Sequence, residues 1–123
     1  MPIRCLIVDD NDSFLLAARV LLQREGLTVA GVASTVAEGL RQAEALRPDV
    51  ALVDISLGEE SGLVLAQRLV EEGRDDYPVV VLISTRAEEE VVDLIAGTPA
   101  VGFLPKAELS ASAIRRIVDG RLG

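Results

Sequence analysis

Five short apolar runs, each followed by a segment of helical spacing, leave this chain few ways to fold. The runs are Ile3–Val8, Leu27–Ala33, Val50–Val53, Val79–Ile83 and Val101–Leu104. Their length and β-branched content read as strands, and the near absence of polar alternation predicts burial on both faces. Gly31 interrupts the second run, which suits a position nearer an edge. Helical stripes lie between and after the runs: Phe14, Ala17, Ala18, Leu21 and Leu22; Val36, Gly39, Leu40 and Ala43; Gly62, Leu65, Ala66 and Leu69; Val91, Leu94 and Ile95; Ile114, Ile117 and Val118. Thr35 with Glu38, and Thr85 with Glu88, have capping-box spacing. Ser61 and Ser110 suit N-caps, and glycines 26, 73, 97 and 120 fall near expected helix ends. Five βα units without repeats or linkers predict an α/β domain: a five-stranded parallel sheet, doubly wound because crossovers are right-handed.

Composition narrows the chemistry. Half of the 123 residues are apolar, enough for a real core, and with only one Tyr and two Phe that core must be aliphatic. The net charge of −8 disfavours nucleic acid and anionic membranes, since phosphate binding needs a basic face. No apolar run nears the roughly 20 residues of a membrane span, and no signal-peptide pattern opens the chain. The single cysteine, Cys5, reads as a small core residue in a reducing cytoplasm. With no histidine, His triads and His metal ligands are excluded, and a lone Cys excludes cysteine-rich zinc sites. Of the twelve basic residues eleven are Arg, and the exception is Lys106. Chance and a need for a compact ammonium both fit that one residue.

In an open parallel sheet, ligands sit beyond the carboxyl ends of the strands, where strand order reverses. Run one leads into Asp9 and Asp10, run three into Asp54, run four into Ser84 and run five into Pro105 and Lys106. Singly, each has a bland reading: a solvated loop, a helix-start charge, a cap hydroxyl, a surface lysine. Together they place one suitable residue type at each of four strand ends. Three converging carboxylates repel, at roughly 4 kcal/mol per pair for about 4 Å and an effective dielectric near 20. A hard divalent cation relieves this, and oxygen-only ligands suit Mg²⁺, which keeps positions open for phosphate oxygens. A lysine and a hydroxyl would complete a phosphoryl cradle.

The pattern resembles response regulator receiver domains of bacterial two-component systems, of the chemotaxis-regulator-like kind, along the whole chain. Val8-Asp9-Asp10 is similar to the family's acidic pair, and Pro48 through Asp54 to the strand leading to its phosphoacceptor. Leu57–Gly62 is similar to the loop that follows. Intervals of 44, 30 and 22 residues separate Asp10, Asp54, Ser84 and Lys106, and fit the family without a gap. The resemblance implies a flavodoxin-like sheet of order 2-1-3-4-5. It implies Asp54 as phosphoacceptor, with a histidine kinase, phosphotransfer protein or small phosphodonor as source. Mg²⁺ would be held by Asp10, Asp54 and the Ser56 backbone carbonyl, with Asp9 acting through water. Lys106 and Ser84 would bind the phosphoryl group, Ser84 and Phe103 would form the switch, and Ser56 and Arg86 would tune the lifetime. The target surface would be helix four, strand five and helix five. The resemblance further implies a cytoplasmic monomer or weak dimer that catalyses only its own phosphoryl chemistry. The chain stops after the fifth helix, so one domain, 1–123, with no output domain is expected. A stand-alone regulator and a receiver excised from a longer one look alike here.

Three positions depart from the common pattern. Gly58 stands where proline is frequent and is expected to loosen its loop. Ala107 replaces a proline that often follows the lysine, so no cis bond is expected there. Pro105 lacks a ladder donor, which suits an edge strand. Among alternatives, a haloacid-dehalogenase-like phosphatase would show a second Asp where Ser56 stands. A flavodoxin-like FMN binder would not place Asp9-Asp10-Asn11-Asp12 at its phosphate loop. The intact site residues argue against a third alternative, a degenerate receiver acting only as a protein-interaction module, which a phosphorylation assay would separate from an active one.

Overall fold

The computed structural model describes residues 3–75 and 77–122, without the side chains of 121 and 122; the expected domain bounds at 1 and 123 lie outside the described residues. Five parallel strands alternate with five helices: β1 (Arg4–Val8), α1 (Asp12–Arg24), β2 (Thr28–Ala33), α2 (Val36–Leu46), β3 (Val50–Asp54), α3 (Gly62–Glu72), β4 (Val79–Ser84), α4 (Glu88–Ala96), β5 (Gly102–Pro105) and α5 (Ala111–Leu122). The strand order is β2-β1-β3-β4-β5, the expected doubly wound arrangement. Order reverses between β1 and β3, which pair from Cys5 with Val50 to Val8 with Val53. The Gly31-containing β2 is an edge strand, and its register against β1 slips, Cys5 facing Val29 and Leu6 facing Gly31. Strand β5 forms the other edge and is displaced one residue from the expected run, so that Pro105 is its last member.

Alternation along the strands divides the core. Cys5 and Ile7 of β1, Val50 and Leu52 of β3, and Leu104 of β5 pack with Leu15, Leu22, Ile114 and Val118 of α1 and α5. Leu6, Val8, Ala51, Val53, Leu82 and Phe103 pack on the other face with Val36, Leu65, Leu69 and Val91. Continuing the alternation puts Asp54 on the α1 side of the sheet. Both faces are covered, which is why the strands carry so few polar residues.

Helix starts follow partly different rules from those expected. Thr35 Oγ1 accepts the Glu38 N–H (3.1 Å), and Glu38 reaches back to Ser34 N–H (3.0 Å), one residue beyond the usual box partner. Ser61 and Ser110 cap α3 and α5 through Leu63 N–H and Ala113 N–H. The Thr85–Glu88 box does not form: α4 starts at Glu88 behind Ala87, without a side-chain cap. The turn leaving β4 is closed instead by Ser84, whose Oγ accepts Arg86 N–H (3.1 Å), so Thr85 is spent in the turn. Gly120 lies inside α5 rather than ending it; a helical glycine costs only about 1 kcal/mol. In α1 the buried stripe is Leu15, Ala18 and Leu22, while Ala17 and Leu21 are exposed. A helix reading FLLAARVLL is apolar around most of its girth, so its rotation is set by the sheet beneath it.

Candidate functional site

The strand ends bring Asp9, Asp10 and Asp54 together: one carboxylate oxygen from each lies within 4.8 Å of the others. Asp9 is fully buried and Asp54 nearly so, whereas Asp10 is exposed. Asn11 fixes the first corner. Its N–H donates to Asp9 Oδ1 (2.9 Å), and its own Oδ1 caps α1 by accepting Phe14 N–H (3.0 Å). Asp54 Oδ1 accepts the Ser56 N–H (3.0 Å).

Lys106, from the 3₁₀ turn after β5, enters this cluster. Its Nζ lies 2.6 Å from Asp9 Oδ2 and 2.8 Å from Asp54 Oδ2. Both separations are those of charge-assisted contacts, so the one ammonium is shared between the two carboxylates. Burial raises the Asp9 pKa, the Lys106 contact and the Asn11 N–H oppose that rise, and the Asp54 charge adds to it. Burial pulls the Lys106 ammonium down, but Asp54 and Asp9 outweigh it, so its pKa stands above the ordinary lysine value.

The loop after β3 is closed rather than loose. Ser56–Leu57 pairs antiparallel with Glu60–Ser61, leaving Gly58 and Glu59 as the hairpin turn. Gly58 has φ +62°, which proline, fixed near −65°, does not adopt. Its departure from the family pattern is thus what permits this turn. Glu60 Oε1 accepts Val36 N–H (3.1 Å), tying the ribbon to the start of α2.

Ser84 is buried at the end of β4, opposite Pro105 of β5. Because its Oγ accepts the Arg86 N–H, its own proton remains available to donate. Phe103 pairs with Leu82 and is buried in the core on the same face of the sheet. The one cis peptide bond among the described residues is Tyr77–Pro78, away from Lys106–Ala107.

One neighbour escaped sequence reasoning. The Phe14 ring lies beneath Lys106, with Nζ 4.3 Å from its centroid. Helical spacing marked Phe14 only as core. The available signal was its place four residues beyond Asp10, one turn up a helix that starts at the acidic rim. A groove of about 470 Å³ between the ends of α2 and α3 lies at the opposite edge of the sheet, lined by Arg47, Asp49 and Tyr77 among others, and shares no residue with this cluster.

The acidic cluster fits a hard divalent cation. It offers oxygen donors only, and the single Lys106 ammonium in contact with it offsets the charge of one of its three carboxylates. The geometry defines a doubly wound α/β domain with an acidic pocket at the carboxyl edge of its sheet. The chain belongs to the response regulator receiver domains: residues 5–119 match the family described as "Response regulator receiver domain". It is 36% identical over 105 residues to a provisionally named transcriptional regulator of Pseudomonas aeruginosa, covering 85% of this chain and 50% of that one. It is 31% identical over 123 residues to the response regulator GacA of the same organism, covering 97% of this chain and 56% of that one. In structure it is similar to the signal receiver domain of NarL from Mycobacterium tuberculosis, with a TM-score of 0.82, 27% identity and 98% of each chain covered. The chain thus spans about half the length of the two Pseudomonas aeruginosa regulators, and 28% or less of two protein-glutamate methylesterase relatives. It is a receiver of bacterial two-component signalling, a family that generally binds Mg²⁺ in an acidic pocket and interacts with histidine kinases and effector domains. Among the described residues no helix is long and apolar enough to cross a membrane.

Proposed function

We propose that Asp54 accepts a phosphoryl group and that the modified domain presents an altered surface to a protein partner. The observation that carries this reading is the double contact of Lys106 with Asp54 and Asp9 inside a three-carboxylate cluster. Asp54 Oδ1 is engaged by the Ser56 N–H, which leaves Oδ2, the oxygen facing Lys106, as the nucleophile. A new O–P bond forms there as the donor's P–N bond, in a phosphohistidine, or P–O bond, in an acyl phosphate, breaks. Lys106 then turns its charge from the Asp54 carboxylate to the phosphoryl oxygens, and Ser84 donates its free proton to one of them. Asp10, Asp54 and the Ser56 carbonyl would hold Mg²⁺, with Asp9 acting through water. When bound, the ion neutralises the carboxylates and the charge developing on the transferred group.

Arg86 is exposed two residues beyond Ser84, and Ser56 is exposed two beyond Asp54, so both border the approach of a hydrolytic water and set the phosphoryl lifetime. The donor is a histidine kinase, a phosphotransfer protein or a small acyl phosphate, in the cytoplasm. The target docks on α4, β5 and α5, and the chain makes no direct contact with nucleic acid. As one 1–123 receiver unit it catalyses only its own phosphorylation and dephosphorylation, as a monomer or weak dimer. Mass spectrometry after incubation with acetyl phosphate and Mg²⁺ tests the assignment. One phosphoryl increment is expected, lost in Asp54→Asn and with chelator; labelling that persists in Asp54→Asn would overturn it.

A further inference from the structure

We propose that Phe14 is a positioning residue for Lys106, holding the ammonium at the rim through the face of its ring. The inference rests on the reading that Lys106 serves the phosphoryl group on Asp54. The Lys106 side chain is 13% exposed, and its Nζ is bounded by Asp9 Oδ2, Asp54 Oδ2 and, 4.3 Å away, the Phe14 centroid. That separation is within cation–π range, and the effect is stronger where water is excluded. Two of these walls are carboxylates and the third is an aromatic face. The Asp54 contact must be redirected once that carboxylate becomes an acyl phosphate. The ring attracts the cation without neutralising it, so it can keep Nζ in place while the charge turns to phosphoryl oxygens.

The position of the ring is itself fixed by the site. Asn11 gives its N–H to Asp9 Oδ1 and accepts the Phe14 N–H on its side chain. The acidic corner and the aromatic wall are therefore parts of one helix start. An aliphatic side chain at position 14 would fill the same space but offer no negative π face.

Lys106 is the only lysine in the chain, so selective ¹³C,¹⁵N-lysine labelling yields one side-chain spin system. Its ε-methylene protons are expected upfield of free lysine in the wild type, through the ring current of Phe14. They should lose that shift in Phe14→Leu and keep it in Phe14→Tyr. Phosphorylation by acetyl phosphate should slow about fivefold in Phe14→Leu and recover most of its rate in Phe14→Tyr. Phe14→Met provides a second non-aromatic variant should Phe14→Leu not fold. An unshifted Lys106 in the wild type, or wild-type labelling rates in Phe14→Leu or Phe14→Met, overturns the role of Phe14 alone. Failure of the wild type to label at Asp54 overturns the reading beneath it, and this proposal with it.

Discussion

The α-carbon of Gly62 lies against the backbone carbonyl of Asp54, so close that a methyl group on it would overlap that oxygen. Its N–H donates to Ile55 O (2.8 Å), and the start of α3 is thereby seated on the end of β3. Gly62→Ala is expected to push the helix start away from the strand. The cost should be on the order of 1–3 kcal/mol in urea denaturation, the usual range for overpacking. Acetyl phosphate labelling should slow as well, although residue 62 carries no reacting atom. Unchanged stability would mean that this contact relaxes at little cost.

Mg²⁺ should raise the thermal midpoint, and EDTA should reverse the rise, because the ion relieves repulsion among Asp9, Asp10 and Asp54. Asp10 is exposed and free to ligate, whereas Asp9 is buried against Lys106. Calorimetric titration should therefore show Asp10→Asn weakening Mg²⁺ binding by about tenfold or more. Asp9→Asn should lose less. Equal losses would argue against this division of labour.

Ser84→Ala should still accept phosphate but transmit it poorly. In the structure Phe103 is 8% exposed and lies on the same face of the sheet as Ser84, one strand over. If Ser84 moves toward a phosphoryl oxygen, room opens for the ring. A hydrogen bond to a charged group contributes roughly 1.5–3 kcal/mol, short of the about 5.5 kcal/mol needed to turn a 1:99 equilibrium into 99:1. Lys106 and a partner must supply the rest. With beryllofluoride and Mg²⁺, NMR shifts in α4 and α5 should be partial in the wild type and smaller in Ser84→Ala. Full remote shifts in that variant would place the coupling elsewhere.

Cys5 should impose an alkaline limit on stability. Burial, with the Asp49 charge adding and Arg115 opposing, pushes its thiol up to about 12 from 9.0. The folded state keeps the proton that the unfolded chain releases near pH 9. Stability is therefore complete below that pH and falls as pH rises toward the folded value, by about 1.4 kcal/mol per pH unit. Denaturation at pH 8 and pH 10 should show a decline of about 1.4 kcal/mol from this group that is absent in Cys5→Ala. An identical pH dependence in the two proteins would mean that the thiol does not carry the effect.

The sequence by itself determined the strand count, the parallel doubly wound class and the residues of the acidic rim. Those strands are buried on both faces and leave little periodic ambiguity, and a parallel sheet puts the residues just past its strands on one edge. Cap chemistry was legible where the partner is local, as at Thr35, Ser61 and Ser110. It failed at Thr85, because the turn out of β4 is closed by Ser84 instead.

Only the tertiary structure decided the rotation of α1. Phe14, Leu15, Leu16 and Leu21 offer more than one apolar stripe, and the choice depends on which side of the helix meets β2 and the sheet face beside it. The same contact places Phe14 under Lys106, two residues 92 positions apart whose attraction no local pattern encodes. Gly58 was read as loosening its loop because its φ is invisible in sequence; the Ser56–Ser61 ribbon shows that the position needs a left-handed backbone. Local spacing follows from the chain's own periodicity, whereas contacts across the rim depend on how separate elements are rotated once they pack.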